Sequence, residues 1–160
     1  MQKTSGIEFE LDDLDLSILR ILQENGRISN VALAEEISLS PPATLTRLKR
    51  LESQGYIYNY VALLDWKRMG YDMLCFVNIS LQMHQPEEVA KFRKRISQLP
   101  EVLECHHVTG EFDYILKLAI KNREDLDRFV MKQLTPIPGI ARIYTSLALN
   151  EIKVTTALPI

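Results

Sequence analysis

The chain has 160 residues, of which 46% are hydrophobic and 25% are charged, a composition typical of a soluble globular protein with one large or two small domains. Its net charge of −2 excludes a general nucleic-acid coat protein, which is normally strongly basic. No apolar run approaches the ~18 residues of a membrane-spanning helix. The first residues, MQKTSGIEFELDD, lack the apolar core of a secretory signal. Cys75 and Cys105 lie in apolar, strand-like segments outside any CxxC pair, which predicts reduced core thiols in the cytoplasm.

Three short helices are predicted in residues 1–58, near 12–24, 30–37 and 41–54. The first starts at an aspartate cap, Asp12 or Asp13, and the second follows the cap Ser29. The third follows the cap Ser40, and Pro41 fits its first turn, where a missing N–H costs nothing. The predicted inward positions are Leu14, Ile18, Ile21 and Leu22, then Val31, Leu33, Ala34 and Ile37, then Leu45, Leu48 and Leu51.

The third predicted helix carries positive charge on the side away from its leucines. Residues 1–65 hold six Lys and Arg against ten Asp and Glu, so attraction to DNA must come from the local patch Arg47, Lys49 and Arg50. Such a patch alone is more typical of a solvated helix face. The preceding cap, two prolines and short amphipathic helix favour a helix-turn-helix whose last helix enters the major groove.

The second half of the chain changes to a period of two. Residues 56–64 are aromatic and β-branched, which predicts an extended hinge strand or linker over 59–72. The elements predicted after it are a strand from Met73, a helix from Pro86, strands Val102–Thr109 and Asp113–Lys121, a helix after Asn122 and a strand Ile140–Leu149. This order predicts an α+β chain whose domain 73–160 is a ferredoxin-like βαββαβ unit. Because both helices cover one face of such a sheet, the other face is expected to pair with a second copy.

Several blocks of the sequence resemble one known family. The matching segments are LDDLDLSILRILQENGRISNVALA, LSPPATLTRLKRLESQGYI, VALLDWKRMG, LPEVLECHHVTGEFDYILKL, PGIARIYTSLALNEIK and TTALPI. Over nearly its whole length, the chain resembles the Lrp/AsnC (leucine-responsive/asparagine-responsive, feast/famine) transcription regulators. The resemblance implies a winged-helix-like DNA-binding domain, a hinge and an effector ("RAM") domain. It also implies a cytoplasmic, nucleoid-associated homo-oligomer in which dimers assemble into octamers.

The resemblance also implies functional residues. The expected DNA-binding residues are Ser40, Pro42, Ala43, Thr44, Thr46, Arg47, Lys49 and Arg50. Arg47 or Lys49 and the backbone N–H groups at the helix start would anchor phosphates, whereas Thr46, Arg50, Pro42 and Ala43 would meet base edges. The expected effector-binding residues are Thr109, Gly110, Glu111, Asp113, Tyr114, Thr145 and Ser146.

The expected effector is an amino acid, with branched-chain residues and methionine as first candidates. Asp113 would accept hydrogen bonds from its ammonium group, and backbone N–H groups near Gly110 would bind its carboxylate. Without the family resemblance, residues 110–113 would be interpreted as an ordinary hairpin turn.

Two local departures from the family pattern affect the helix-turn-helix. Family members often have glycine at the position of Ser38, which suits a left-handed turn better than serine does. Pro42-Ala43-Thr44 replaces the commoner Pro-x-Pro-Cys run, which leaves the base preference open.

Other classes of function have weaker support. His106 and His107 adjoin Cys105, but consecutive strand residues point to opposite faces, so the two imidazoles are not expected to share a metal ion. His84 is remote in sequence, and neither a cofactor site nor a nucleophile–base pair is predicted. The remaining alternative is a low-specificity DNA-wrapping architectural protein whose second domain serves only assembly.

Overall fold

The computed structural model describes residues 10–82 and 85–160, and the chain divides into two units. The first contains the residues up to Leu63 together with Lys153–Ile160, and the second is Leu64–Ile152. Residues 153–160 thus belong to the first unit, although the sequence places them in the domain 73–160. No helix among the described residues is long and apolar enough to cross a membrane.

The first unit contains the three predicted helices. They are α1 (Asp13–Glu24), α2 (Asn30–Glu36) and α3 (Pro41–Ser53). Asp12 caps α1 by accepting a hydrogen bond from the Asp15 N–H at 2.8 Å, and Ser29 caps α2 through the Ala32 N–H at 3.1 Å. Ser40 occupies the N-cap position of α3, but its side chain makes no capping bond.

The core of the first unit differs from the predicted one on two helices. Ile18, Leu33, Ile37 and Leu51 form its centre, as predicted. On α3, however, Leu45 is 40% exposed, whereas Thr44 is fully buried. The Thr44 hydroxyl donates to the Ser40 carbonyl at 3.1 Å, so this polar group can be buried without losing a hydrogen bond. On α2, Val31 is also exposed, so the expectation that Val31 and Leu45 point inward is wrong.

The turn between α2 and α3 is held by backbone bonds. The Leu39 N–H donates to the Ala34 carbonyl at 2.9 Å, and Ser38 takes a φ of +56°. The Asn30 amide donates to the Pro41 carbonyl at 2.9 Å and so ties the start of α2 to the start of α3. These bonds fix the direction in which α3 leaves the turn.

The expected hinge strand pairs with no strand among the described residues of this chain. Residues 58–65 have no regular hydrogen-bonded structure, and a turn follows at 66–70. A strand forms only when its backbone groups find partners. The prediction of a hinge strand is therefore wrong for the single chain, while a linker remains.

The second unit is a ferredoxin-like βαββαβ fold, as predicted. Its elements are β1 (Met73–Leu81), α4 (Pro86–Ile96), β2 (Val102–His107), β3 (Tyr114–Ile120), α5 (Arg123–Arg128) and β4 (Ile140–Leu147). The sheet is antiparallel with strand order β2-β3-β1-β4. Helix α5 begins at the predicted cap Asn122 and continues as π-helical turns through Phe129–Leu134.

One face of this sheet is covered by the helices and the other is open. Cys75, Val77 and Ile79 on β1 pack beneath α4 and α5 in the main core. The residues between them face the open side, where Phe76 is 38% exposed. Cys105 lies exposed on the edge strand β2, so the expectation of two core thiols is correct only for Cys75.

The left-handed backbone conformation of Ser38 is expected to strain the folded state slightly. A side chain at positive φ costs roughly 1–2 kcal/mol, part of which glycine would recover. We expect Ser38→Gly to raise the free energy of unfolding by up to ~1 kcal/mol and Ser38→Val to lower it by ~1–2 kcal/mol. Urea unfolding followed by far-UV circular dichroism measures both changes. A Ser38→Gly protein less stable than the parent would contradict this account.

Candidate DNA-binding surface and effector turn

The outward side of α3 presents most of the expected DNA-binding residues. The exposed ones are Ser40, Pro42, Ala43, Thr46 and Lys49, while Arg47 and Arg50 are half-buried. Thr44 has no exposed surface, so the prediction that it contacts DNA is wrong. Seven of the eight expected residues are therefore at least partly exposed along α3 and at its N-cap.

A buried acidic side chain holds two of these residues. Asp15 on α1 is 0% exposed, and its carboxylate accepts hydrogen bonds from Arg50 Nη2 at 2.7 and 2.8 Å. Arg47 Nη1 donates to Asp15 Oδ1 at 2.9 Å and to Asp12 Oδ2 at 2.7 Å. A buried carboxylate is tolerated only when it is paired in this way. The acidic end of α1 therefore sets the positions of both guanidinium groups on α3.

The contact between Asp12 and Arg47 also changes the pKa of both groups. The Asp15 N–H and the Arg47 guanidinium lower the pKa of Asp12 below its ordinary value of 3.8. Hydrogen bonds to Asp12 and then to Asp15 raise the pKa of Arg47. Both groups are thus charged at neutral pH. Arg47 is already bonded to the two aspartates in the absence of DNA. Sequence periodicity gives no sign of this pairing, because the partners lie more than 30 residues apart along the chain.

The remaining outward groups differ in what they offer DNA. Lys49 is exposed and forms no ion pair with any residue that the structure describes. The Thr46 hydroxyl donates to the Pro42 carbonyl at 2.9 Å. Because Pro41 and Pro42 have no N–H, Ala43 alone among the first three residues of α3 carries one. The start of α3 therefore offers few backbone N–H groups as the expected phosphate anchor.

The expected effector turn joins β2 to β3 and is anchored to β1. The Asp113 N–H donates to the Ile79 carbonyl at 2.9 Å, and the Leu81 N–H donates to Asp113 Oδ2 at 2.7 Å. The Val108 N–H closes the turn on the Asp113 carbonyl at 3.0 Å. Gly110, with φ of +122°, lies in the left-handed region that glycine tolerates. Asp113 therefore has a structural role besides any role in binding.

The tip of the turn offers unpaired backbone donors. The N–H groups of Thr109, Gly110 and Glu111 make no hydrogen bond within the described part of the chain. Beside them lies an open hollow of about 600 Å³ lined by His107, Val108, Thr109, Glu111, Phe112 and Ile115. This volume suits a small molecule, although one side of the hollow is open to solvent.

Arg142, at the start of β4, is a neighbour of this turn that sequence reasoning missed. Its Nη2 donates to Glu111 Oε1 at 2.7 Å, and its guanidinium lies 4.7 Å from the centre of the Phe112 ring. The Phe112 ring lies 6.2 Å from that of Tyr144. The only sequence signal was an arginine within a strand otherwise rich in apolar residues.

Three expected effector residues lie away from the tip of the turn. Tyr114 is buried on the helix-covered side, where its hydroxyl accepts a hydrogen bond from Arg93 Nε at 2.9 Å. Thr145 pairs with Val77 and Ser146 with Phe76, on opposite faces of the sheet. Ser146 lies four residues from Arg142, or about 13 Å along the strand. Within one chain, the structure therefore does not bring Tyr114, Thr145 and Ser146 to the tip of the turn, and their role in binding an effector stays a prediction.

The histidine pair lies on β2 and is split between the two faces of the sheet. His106 contacts Glu104 at 3.0 Å on the open face, whereas the His107 ring stacks on Tyr114 with ring centres 4.9 Å apart. His84 lies outside the described residues. In residues 10–82 and 85–160, no three His, Cys, Asp or Glu side chains are grouped to hold a metal ion.

The fold and these two sites define a class of protein: a DNA-binding helix-turn-helix joined to a small α+β unit of the kind that binds ligands. Residues 11–58 match the family model for winged helix-turn-helix DNA-binding domains, and residues 74–158 match that for the Lrp/AsnC ligand-binding domain. The chain belongs to the Lrp/AsnC family of transcription regulators and is not an enzyme.

Individual relatives agree over almost the whole chain. The Bkd operon transcriptional regulator of Pseudomonas aeruginosa is 39% identical over 151 residues, which is 94% of this chain and 99% of that protein. The leucine-responsive regulatory protein of Escherichia coli is 37% identical over 94% of this chain and 92% of its own length. A Neisseria meningitidis transcriptional regulator solved with L-methionine superimposes with a TM-score of 0.91 at 37% identity, covering 94% and 97% of the two chains.

The position of Asp12 leads to a prediction for DNA affinity. Asp12→Asn keeps a good N-cap but removes the negative charge 2.7 Å from Arg47. We expect DNA affinity at low salt to rise severalfold, because Arg47 becomes more available to phosphate and one repulsive charge is lost.

The matched control is Asp13→Asn, which makes the same charge change in the same turn but has no described contact with Arg47. Fluorescence anisotropy with a labelled duplex measures both variants. Equal affinities for the two would show that only net charge matters and that the Arg47 contact does not.

Proposed function

We propose that the protein is a sequence-specific transcription regulator of amino-acid metabolism whose DNA binding or assembly responds to a bound amino acid. The observation that carries the ligand class is the effector turn. Its backbone N–H groups at Thr109, Gly110 and Glu111 have no partner among the residues that the structure describes, and they belong to the same turn as the carboxylate of Asp113. Donors for a carboxylate beside an acceptor for an ammonium group match the two charged ends of an amino acid.

The relatives suggest which amino acids to try first. One structural neighbour was solved with L-methionine, and several sequence relatives are named leucine-responsive regulatory protein. Methionine and the branched-chain amino acids are therefore the first ligands to test on this chain. Phe112 and Ile115 give the hollow an apolar side that suits such side chains.

The open face of the second unit supports a homodimer. Phe76 and Tyr144 leave 38% and 58% of their surfaces exposed there, next to Ile115. A half-apolar sheet face of this kind is normally covered, and a second copy offers the same surface in a two-fold arrangement. Octamers would follow from dimers that meet at their effector turns, where the hollow lacks a wall. Thr145 and Ser146 would then have to reach the ligand from another copy.

A ligand bound between copies would act through assembly. It can shift the equilibrium between two arrangements only by its difference in affinity for them, typically ~1–3 kcal/mol. Such a shift is enough to change the spacing of the paired α3 helices along DNA. Two α3 helices related by a two-fold axis would read two half-sites.

Two residues of α3 separate phosphate anchoring from base reading. Lys49→Ala is expected to weaken binding equally on all sequences and to reduce the slope of log affinity against log salt by ~1. Thr46→Ala is expected to lose ~1–3 kcal/mol on the preferred site alone. Anisotropy titrations on a selected site and on a scrambled duplex, at several salt concentrations, measure both effects.

Arg50 is a poorer choice for this test, because its loss leaves the buried Asp15 short of a partner and threatens the fold. If the parent protein covers selected and scrambled DNA alike and ignores every amino acid, the architectural alternative replaces the specific regulator.

Asp113→Asn tests the effector turn without removing the acceptor for the Leu81 N–H. A thermal-shift screen of the twenty amino acids on the parent should identify a ligand, since binding to the folded state raises stability by ~2.7 kcal/mol at 100 times the Kd. We expect Asp113→Asn to lose this shift while its ligand-free melting temperature stays close to that of the parent. Asp127→Asn, on the exposed side of α5, is the matched control. A full ligand shift in Asp113→Asn would exclude Asp113 as the ammonium partner.

A further inference from the structure

The last residues of the chain lie against α1 through main-chain hydrogen bonds. The Gln23 side-chain amide bonds both backbone groups of Leu158: its Oε1 accepts from the Leu158 N–H at 2.5 Å, and its Nε2 donates to the Leu158 carbonyl at 3.1 Å. Arg20 Nε donates to the Ile160 carbonyl at 2.7 Å. Arg20 and Gln23 are one turn apart on the exposed side of α1, so both reach the same short segment.

The contacts hold the backbone of this segment rather than particular side chains. Gln23 satisfies Leu158 with the donor and acceptor pair that a neighbouring β-strand would supply, while the Leu158 side chain stays 69% exposed. Pro159 has no N–H that would need a partner. The Ile160 N–H turns back to the Leu158 carbonyl at 3.0 Å. Gln23 and Arg20 thereby provide hydrogen-bond partners for both backbone groups of Leu158 and for the Ile160 carbonyl.

Helix α1, which binds this segment, also sets the position of α3. The first turn of α1 holds Arg47 and Arg50 of α3 through Asp15, and its last two turns hold residues 158–160. The chain leaves the first unit at Leu63 and rejoins it at Lys153. The second unit is thus linked to the first by two covalent connections, one of which ends on α1.

We propose that residues 157–160 are a docking segment for the exposed side of α1, and that their docking completes the DNA-binding unit. Docking holds the last turns of α1 in helical form, and α1 in turn presents Asp15 to the two arginines of α3. The DNA effect rests on the proposed DNA-binding function, whereas the docking itself requires neither DNA nor an amino acid.

The test compares Gln23→Ala with Glu24→Ala in the full chain. Glu24 is an exposed polar residue of the same helical turn with no described contact to the segment. We expect Gln23→Ala to speed hydrogen–deuterium exchange in the peptides that cover 153–160 and α1, and to weaken binding to a DNA duplex by ~3- to 10-fold. Glu24→Ala should match the parent in exchange and should not weaken DNA binding, because the charge that it removes is negative.

A double-mutant cycle separates docking from a local effect of Gln23. Removing residues 157–160 should reproduce the effect of Gln23→Ala, and Gln23→Ala should then change nothing further in the shortened chain. The proposal is overturned if Gln23→Ala weakens the shortened chain as much as the full one, or if exchange in 153–160 is the same with and without Gln23. It is also overturned if exchange rises while DNA affinity does not change. If the parent protein does not bind DNA at all, the proposed function is refuted. The exchange measurement would still show whether residues 157–160 dock on α1.

Discussion

The arrangement of the first unit depends on one buried carboxylate. Asp15 has no exposed surface, so its charge is tolerable only while Arg47 and Arg50 supply hydrogen bonds. The pairing fixes the rotation of α3 against α1, since both arginines must face α1 at once. Thr46 and Lys49 are then directed outward by helical geometry alone. A positive patch predicted from sequence as a DNA contact surface is thus, in part, a set of internal supports.

Helical periodicity located the helices of this unit but could not fix the rotation of α3. The spacing of the leucines predicts Leu45 inside, whereas Thr44 is buried and Leu45 is exposed. A hydroxyl that bonds the carbonyl four residues earlier behaves as a small apolar group, and composition does not show when that bond forms. The Asp15 pairing was equally invisible, because it joins residues far apart in sequence. Capping signals at Asp12, Ser29 and Asn122 were confirmed because they act within one turn.

In the second unit, the order of elements followed from the period-two pattern and the prolines, and the fold class was confirmed. The neighbours of the effector turn depend instead on strand register. Pairing of Ser80 with Arg142 brings Arg142 to the end of β1 where the turn is anchored, and leaves Ser146 opposite Phe76. Register is set by packing between strands distant in sequence, so the turn could be expected from the sequence whereas Arg142 could not.

The two prolines at the start of α3 have a consequence for folding. Pro41 and Pro42 restrict φ in the denatured chain as well as in the native one, and Pro41 keeps Ser40 out of the helical region, at ψ of 147° in the structure. Fewer denatured conformations must be given up when this segment orders. The point at which α3 starts is therefore encoded locally, and nucleation of this helix has a defined first residue before any tertiary contact forms.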